Sequence, residues 1–214
     1  MLIELCKAFA GRDNDKSLFF GNECLKLSDS INYLSGKSEA HCRIGIAYYY
    51  QSKYSEALNE LKKAFPLKEE LKDSINLGNI LLLQGVIYAH FSDHNQAIEK
   101  YTKALKIYES INDKNGISSC YSNIGLIHQD QEEYEKAIEY TVKSTKLQLE
   151  LKNQIKVAKN YNNLGVLYEL MGNLKSAMEY YKKAVKIYEK ENFLQSLAIT
   201  YNNIGSIYTK KGNF

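Results

Sequence analysis

Apolar and aromatic residues recur at i, i+3, i+4 and i+7 along most of the chain, the stripe of a half-buried helix. The stripes come in pairs, and the pairs repeat. Gly45, Gly85, Gly125, Gly165 and Gly205 are spaced forty residues apart, and Ala57, Ala97, Ala137 and Ala177 keep the same step. A fixed step without insertions means one structural unit repeated and stacked. Framed on the glycine, the units run 38–77, 78–117, 118–157 and 158–197, with 1–37 a degenerate unit and 198–214 the first helix of another. The whole chain, 1–214, therefore reads as one array.

The first half of a unit reads Tyr-x-Asn-Ile-Gly, as in Tyr121–Gly125, Tyr161–Gly165 and Tyr201–Gly205. A glycine inside a helix is less favourable than alanine by about 1 kcal/mol, so its recurrence predicts close approach of another helix. The second half reads Tyr-x-x-Ala, with a second small residue seven positions on, as in Ala57 and Ala64. Those two share one face and admit the paired helix. Polar, turn-prone pieces separate the halves and the units: Ser92–Asn95, Met171–Asn173, Asn112–Gly116 and Lys152-Asn153. Each unit is thus predicted to be a hairpin of helix A and helix B. In the degenerate unit, helix A is expected over Leu2–Ala10 and helix B over Lys16–Tyr33. Ser17 and Cys24 stand there at the two alanine sites, and Leu5 at the glycine site. Pro66 predicts a local bend near Lys62–Pro66 inside a continuing helix B.

The pattern Tyr161, Leu164-Gly165, Tyr168, Ala177, Tyr181, Ala184 resembles the tetratricopeptide repeat, and the other units carry it comparably. The resemblance covers essentially the whole chain. Two features depart from it. The unit has forty residues rather than thirty-four, which predicts helices longer by up to about one turn. The unit-ending proline is absent, with Glu69, Glu109, Leu149 and Glu189 in its place. Units of this length resemble those of cell-polarity adaptors, kinesin light chains and bacterial sensor and regulator proteins. The resemblance implies an all-α, right-handed α-solenoid superhelix of antiparallel helix hairpins, with helix A lining a concave groove. It also implies a scaffold that binds a protein or peptide segment, from a partner or from the same polypeptide, and not an enzyme.

Charge changes little. There are 28 Lys+Arg against 25 Asp+Glu, which gives no electrostatic reason for a nucleic-acid partner. No apolar run approaches 18 residues, so membrane insertion is not expected. The four cysteines, Cys6, Cys24, Cys42 and Cys120, form no C-x-x-C pair. They read as buried thiols of a reducing, cytoplasmic compartment. No cofactor and no metal is expected. His90 and His94 are four apart, but His94 is expected in a turn. Ser35-Gly36-Lys37-Ser38 lacks the earlier glycine of a phosphate loop and reads as a helix stop followed by a helix start.

By analogy with the family, the groove-facing slots of helix A are unit positions 2, 5, 6, 9, 12 and 13. In the first two full units they hold Arg43, Tyr49, Leu82 and Leu83 among largely apolar neighbours. In the later units they hold Asn123, Asn162, Asn163, Asn202 and Asn203. A carboxamide donates and accepts at once, so a ladder of Asn123, Asn163 and Asn203 could pair with the backbone of an extended peptide. The resemblance supports that use of the slot. The alternative is that these side chains bridge helices of the scaffold. Arg43 could grip a carboxylate bidentately or pair with Glu39 one turn away. The function expected is a docking or sensing region of a larger signalling protein. The competing expectation is a structural subunit that self-associates. Phe214 falls seventeen residues into a unit, which predicts that the array continues or that another chain covers its open end.

Overall fold

The computed structural model describes residues 1–210 and 212. Phe214, on which the expectation about the end of the array rests, lies outside the described residues. These fold into eleven helices and no strand: α1 (Leu2–Phe9), α2 (Asn14–Ser30), α3 (Leu34–Tyr50), α4 (Tyr54–Glu70), α5 (Ser74–His90), α6 (His94–Ser110), α7 (Lys114–Asp130), α8 (Tyr134–Glu150), α9 (Gln154–Leu170), α10 (Leu174–Lys190) and α11 (Leu194–Lys210). They form two compact units, Met1–Ile111 and Asn112–Phe214.

Every helix from α2 onward has 17 residues. Each is joined to the next by three residues whose middle one has positive φ, between 50° and 75°: Asn32, Ser52, Lys72, Ser92, Asn112, Glu132, Lys152, Gly172 and Asn192. The chain then turns back through a closing bond between residues five apart, such as Asp73 N–H to the Lys68 carbonyl at 3.0 Å, which satisfies a carbonyl the helix end would leave open. Two helices and two such turns make the forty-residue step. The left-handed conformation disfavours a side chain bearing Cβ by about 1–2 kcal/mol, while glycine loses about 0.5–1 kcal/mol more backbone entropy on folding. Ser52→Gly is therefore expected to raise stability by several tenths of a kcal/mol, read as a higher urea midpoint.

Asp73, Asp93 and Asn153 cap α5, α6 and α9, each accepting from the backbone N–H three residues on. Asp113 caps α7 by accepting from Asn115 N–H. The turn-prone pieces thus end sooner than their composition suggests: Asn115 and Gly116 already lie within α7, and His94 opens α6 rather than sitting in a turn. Ser35–Ser38 forms the first turn of α3, a helix start as expected, while the preceding helix has already stopped at Ser30. Each helix A starts four residues before the glycine-based frame, because the glycine stands at its twelfth residue. In the first hairpin, α1 ends at Phe9, and α2 starts earlier and stops earlier than expected. α4 runs through Pro66 to Glu70. Pro66 lies on its exposed side, where the absent N–H leaves no buried acceptor unpaired.

Four of the five repeat glycines, Gly45, Gly85, Gly125 and Gly165, stand where the paired helix approaches closely; at Gly205 no described atom lies within 4 Å of an added Cβ. In α9, a Cβ on Gly165 would lie 2.5 Å from the Tyr181 ring of α10. In α3, a Cβ on Gly45 would lie 3.1 Å from Leu61 of α4. The alanines opposite, Ala57, Ala64, Ala97, Ala104, Ala137, Ala177 and Ala184, are wholly buried.

Candidate functional site

The groove slots of the first compact unit are built on α3 and α5. Arg43 and Leu83 line one small cavity of about 160 Å³ together with Glu39 and Cys42. The Arg43 guanidinium is paired there with Glu39, through Nη2 at 2.6 Å and Nε at 2.7 Å. Of the two uses open to Arg43, the pair within the scaffold is the one observed. Glu39 also accepts from Lys68 Nζ at 3.3 Å, and Lys68 reaches Asp73 at 2.9 Å. Burial alone would raise the Glu39 carboxyl, but Arg43 and Lys68 outweigh it and hold the group below its usual range. The same cavity buries the Cys42 thiol, and that desolvation pushes it up to about 12. Tyr49 lies apart, in an aromatic cluster with Tyr54 and His90, with ring centroids 5.9 and 6.0 Å away. His90 stacks on Tyr54 at 4.7 Å. Leu82 is half-buried and lines neither this cavity nor that cluster. This face is less apolar than its slots suggest, since a chain of four charges crosses it.

In the second compact unit, Asn123 of α7 and Asn163 of α9 line one cavity of about 210 Å³. Both are half-buried, and among the described residues no hydrogen bond reaches either carboxamide. Beneath them lies a buried polar network. Ser144 Oγ sits 2.8 Å from both Ser118 and Ser122 hydroxyls and accepts from Asn160 Nδ2 at 3.0 Å. Gln148 donates through Nε2 to Ser118 at 2.8 Å, and its Oε1 is buried with no partner among the described residues. An orphaned buried acceptor is unfavourable by about 1–3 kcal/mol.

Asn162 and Asn163 line a second cavity of about 360 Å³ with Tyr188, Phe193 and Ile199. Asn162 is used by the scaffold: its Oδ1 accepts from Thr200 Oγ1 at 3.1 Å and from Asn203 Nδ2 at 3.2 Å. Asn203 thus bridges α11 to α9. Asn202 is exposed on α11 and lines neither cavity. Ser118, Ser144, Gln148 and Asn160 were not singled out from the sequence. Their signal is comparison down one repeat position: Ser144 stands where other units carry Ala64, Ala104 and Ala184, and Gln148 where two carry Tyr108 and Tyr188.

The profile of the tetratricopeptide repeat family matches residues 34–110 and 116–190, most of the chain. The chain belongs to this family. As a tetratricopeptide repeat protein it is an all-α stack of helix hairpins of the solenoid class, an architecture that presents extended surfaces for protein interaction. By sequence, no curated protein matches it. Among solved structures, it resembles the signal transduction ATPase with numerous domains from Pyrococcus horikoshii that has a tetratricopeptide repeat sensor. The TM-score is 0.83 at 22% identity, over 100% of this chain and 33% of that one. It also resembles BtubC from P. vanneervenii, with a TM-score of 0.81 at 21% identity, covering 94% and 85%. A Rap protein complexed with competence and sporulation factor gives 0.69 at 20% identity, covering 95% and 59%. The chain thus spans a third of the ATPase and under two thirds of the Rap protein. All four cysteines are buried and free, and among the described residues no helix is long and apolar enough to cross a membrane.

Proposed function

We propose that this tetratricopeptide repeat array is a docking or sensing region that holds an extended protein segment on the helix A face of α7 and α9. The observation that carries this reading is the pairing of two unengaged carboxamides, Asn123 and Asn163, over one cavity whose base holds the orphaned Gln148 Oε1. Each carboxamide can donate to a ligand C=O and accept from a ligand N–H, so the backbone is gripped whatever the side chains. The two similar structures, one described as having a tetratricopeptide repeat sensor and one as complexed with competence and sporulation factor, support the same direction. The segment comes from a partner protein or from the same polypeptide, and the four free, buried thiols favour a cytoplasmic setting.

Random twelve-residue peptides displayed on phage supply the probe, selected on the protein and then titrated by fluorescence polarisation. Asn123→Ala with Asn163→Ala is expected to weaken the selected peptides about 10- to 100-fold, about 0.7–1.4 kcal/mol for each carboxamide. Asn203→Ala should act mainly on stability, since Asn203 is bound to Asn162. Unchanged affinity in a double variant that melts like wild type would overturn the reading. Self-association is a second reading, favoured by Leu194, Ile199 and Tyr208 exposed along α11. Light scattering at several concentrations tests it, and the mass of a single chain at every concentration would rule it out.

A further inference from the structure

A cavity of about 470 Å³ lies between α4 and α6, floored by α5. None of the groove slots of α5 lines it. Its floor is Leu81, Gln84 and Tyr88, and Phe65 and Ile107 form apolar walls. Its size is that of a small-molecule site.

The other units explain why the space exists. In the unit of α7 and α8, Tyr121 and His128 pack on Tyr140, with centroids at 6.0 and 5.4 Å. In the unit of α9 and α10, Tyr161 and Tyr168 pack on Tyr180 at 6.0 and 5.4 Å. A lysine stands over each group: Lys143 lies 5.0 Å from Tyr140 and Lys183 lies 4.7 Å from Tyr180. In the unit of α5 and α6 the same repeat positions hold Leu81, Tyr88, Lys100 and Lys103. Two of the three rings are gone and the lysine remains. The missing rings leave the cavity.

The repeat also departs from type at Gln84. Ile44, Ile124 and Leu164 fill that position elsewhere, each buried. Gln84 is 6% exposed and faces the cavity, and among the described residues no hydrogen bond reaches its carboxamide. Four lysines line the cavity, and two of them, Lys100 and Lys103, pair with Glu99 at 3.5 and 2.7 Å. Lys62 and Lys106 have no ion pair among the described residues.

We infer that this cavity binds a small planar aromatic molecule carrying an anionic group. Its ring takes the place that Tyr140 and Tyr180 fill in the units of α7–α8 and α9–α10, against Tyr88 and beneath Lys103. Its anionic group meets Lys62 and Lys106, and a polar atom on the ring satisfies Gln84. A cation over a ring and a cation beside an anion are both attractive in a partly dry site.

The probe is 8-anilinonaphthalene-1-sulfonate, an aromatic anion, titrated by fluorescence into the 214-residue protein. One saturable equivalent is expected. Leu81→Tyr with Lys100→Tyr rebuilds the ring group of the other units, and it should abolish that equivalent while the protein still melts cooperatively. Lys62→Gln with Lys106→Gln leaves the buried packing untouched and carries the test should the first variant misfold. It should weaken the anionic probe about tenfold and leave the uncharged analogue N-phenyl-1-naphthylamine unchanged. Absence of binding by wild type, or equal binding by the folded ring-filled variant, overturns the site. An equal affinity of the lysine variant for the sulfonate overturns the anionic class of ligand.

Discussion

Tyr181→Ala is expected to remove about 3–5 kcal/mol from the unfolding free energy of the second compact unit, the range for deleting a buried aromatic ring. Tyr181 is 0% exposed and its hydroxyl donates to Glu169 at 2.9 Å. Tyr181→Phe should lose only about 1 kcal/mol, because Glu169 keeps Ser206 at 3.0 Å and Lys210 at 2.6 Å. The ring is seated on Gly165, where an added Cβ would lie 2.5 Å from two of its atoms. Gly165→Ala alone is therefore overpacking, at about 1–3 kcal/mol. The unit of α7 and α8 holds Thr141 at the same position, and a Cβ on Gly125 would lie 3.3 Å from its hydroxyl. In a Tyr181→Thr background, Gly165→Ala should consequently turn neutral or favourable, since alanine is better than glycine in a helix by about 1 kcal/mol. Urea unfolding followed by circular dichroism measures all four corners of the cycle. Equal effects of Gly165→Ala in both backgrounds would show that ring and glycine are not coupled.

The hairpins were legible because three signals agree: the forty-residue step, the apolar stripe, and Asp or Asn where caps are needed. The frame was off by four residues for a physical reason. The glycine marks the helix crossing, which is in the middle of helix A, and says nothing of where that helix starts. The Asn ladder was legible as a repeated residue, but its members divide by partner. Asn203 is engaged by Asn162, whereas Asn123 and Asn163 are not. A single helix stripe cannot show that difference, because the partner comes from another helix. Lys68, Gln84, Ser144 and Gln148 were missed for the opposite reason. Gln84 and Ser144 are each the exception at an otherwise apolar repeat position, and Lys68 and Gln148 share one position that holds Tyr108 and Tyr188 in the other units; a consensus reading suppresses such departures.

Lys68→Met is expected to destabilise the first compact unit by about 3 kcal/mol, the low end for breaking a buried ion pair, because each carboxylate keeps another partner. Lys68 is 3% exposed between Glu39 and Asp73. Burial would pull its ammonium down, but the two carboxylates outweigh burial and hold it above its usual value. Glu39 and Asp73 are both held below theirs, with Lys68 among the causes. A carboxylate with a lowered folded pKa adds stability that is present above its unfolded pKa, about 4. That contribution fades as the pH falls through the folded value. The next unit solves the same geometry without charge: Tyr108 stands at the position of Lys68 and donates to Asn79, at the position of Glu39, at 2.7 Å. Gly78 makes room for that ring, since a Cβ there would lie 2.7 Å from it. Ser38 holds that place in the first full unit. The triple change Lys68→Tyr, Glu39→Asn, Ser38→Gly should therefore recover most of what Lys68→Met loses. It should also narrow the gap in melting temperature between pH 7 and pH 3, because one carboxylate of the cluster is gone. A triple variant no more stable than Lys68→Met would mean that the charge cluster fixes the α3–α4 packing in a way that the Tyr–Asn pair cannot replace.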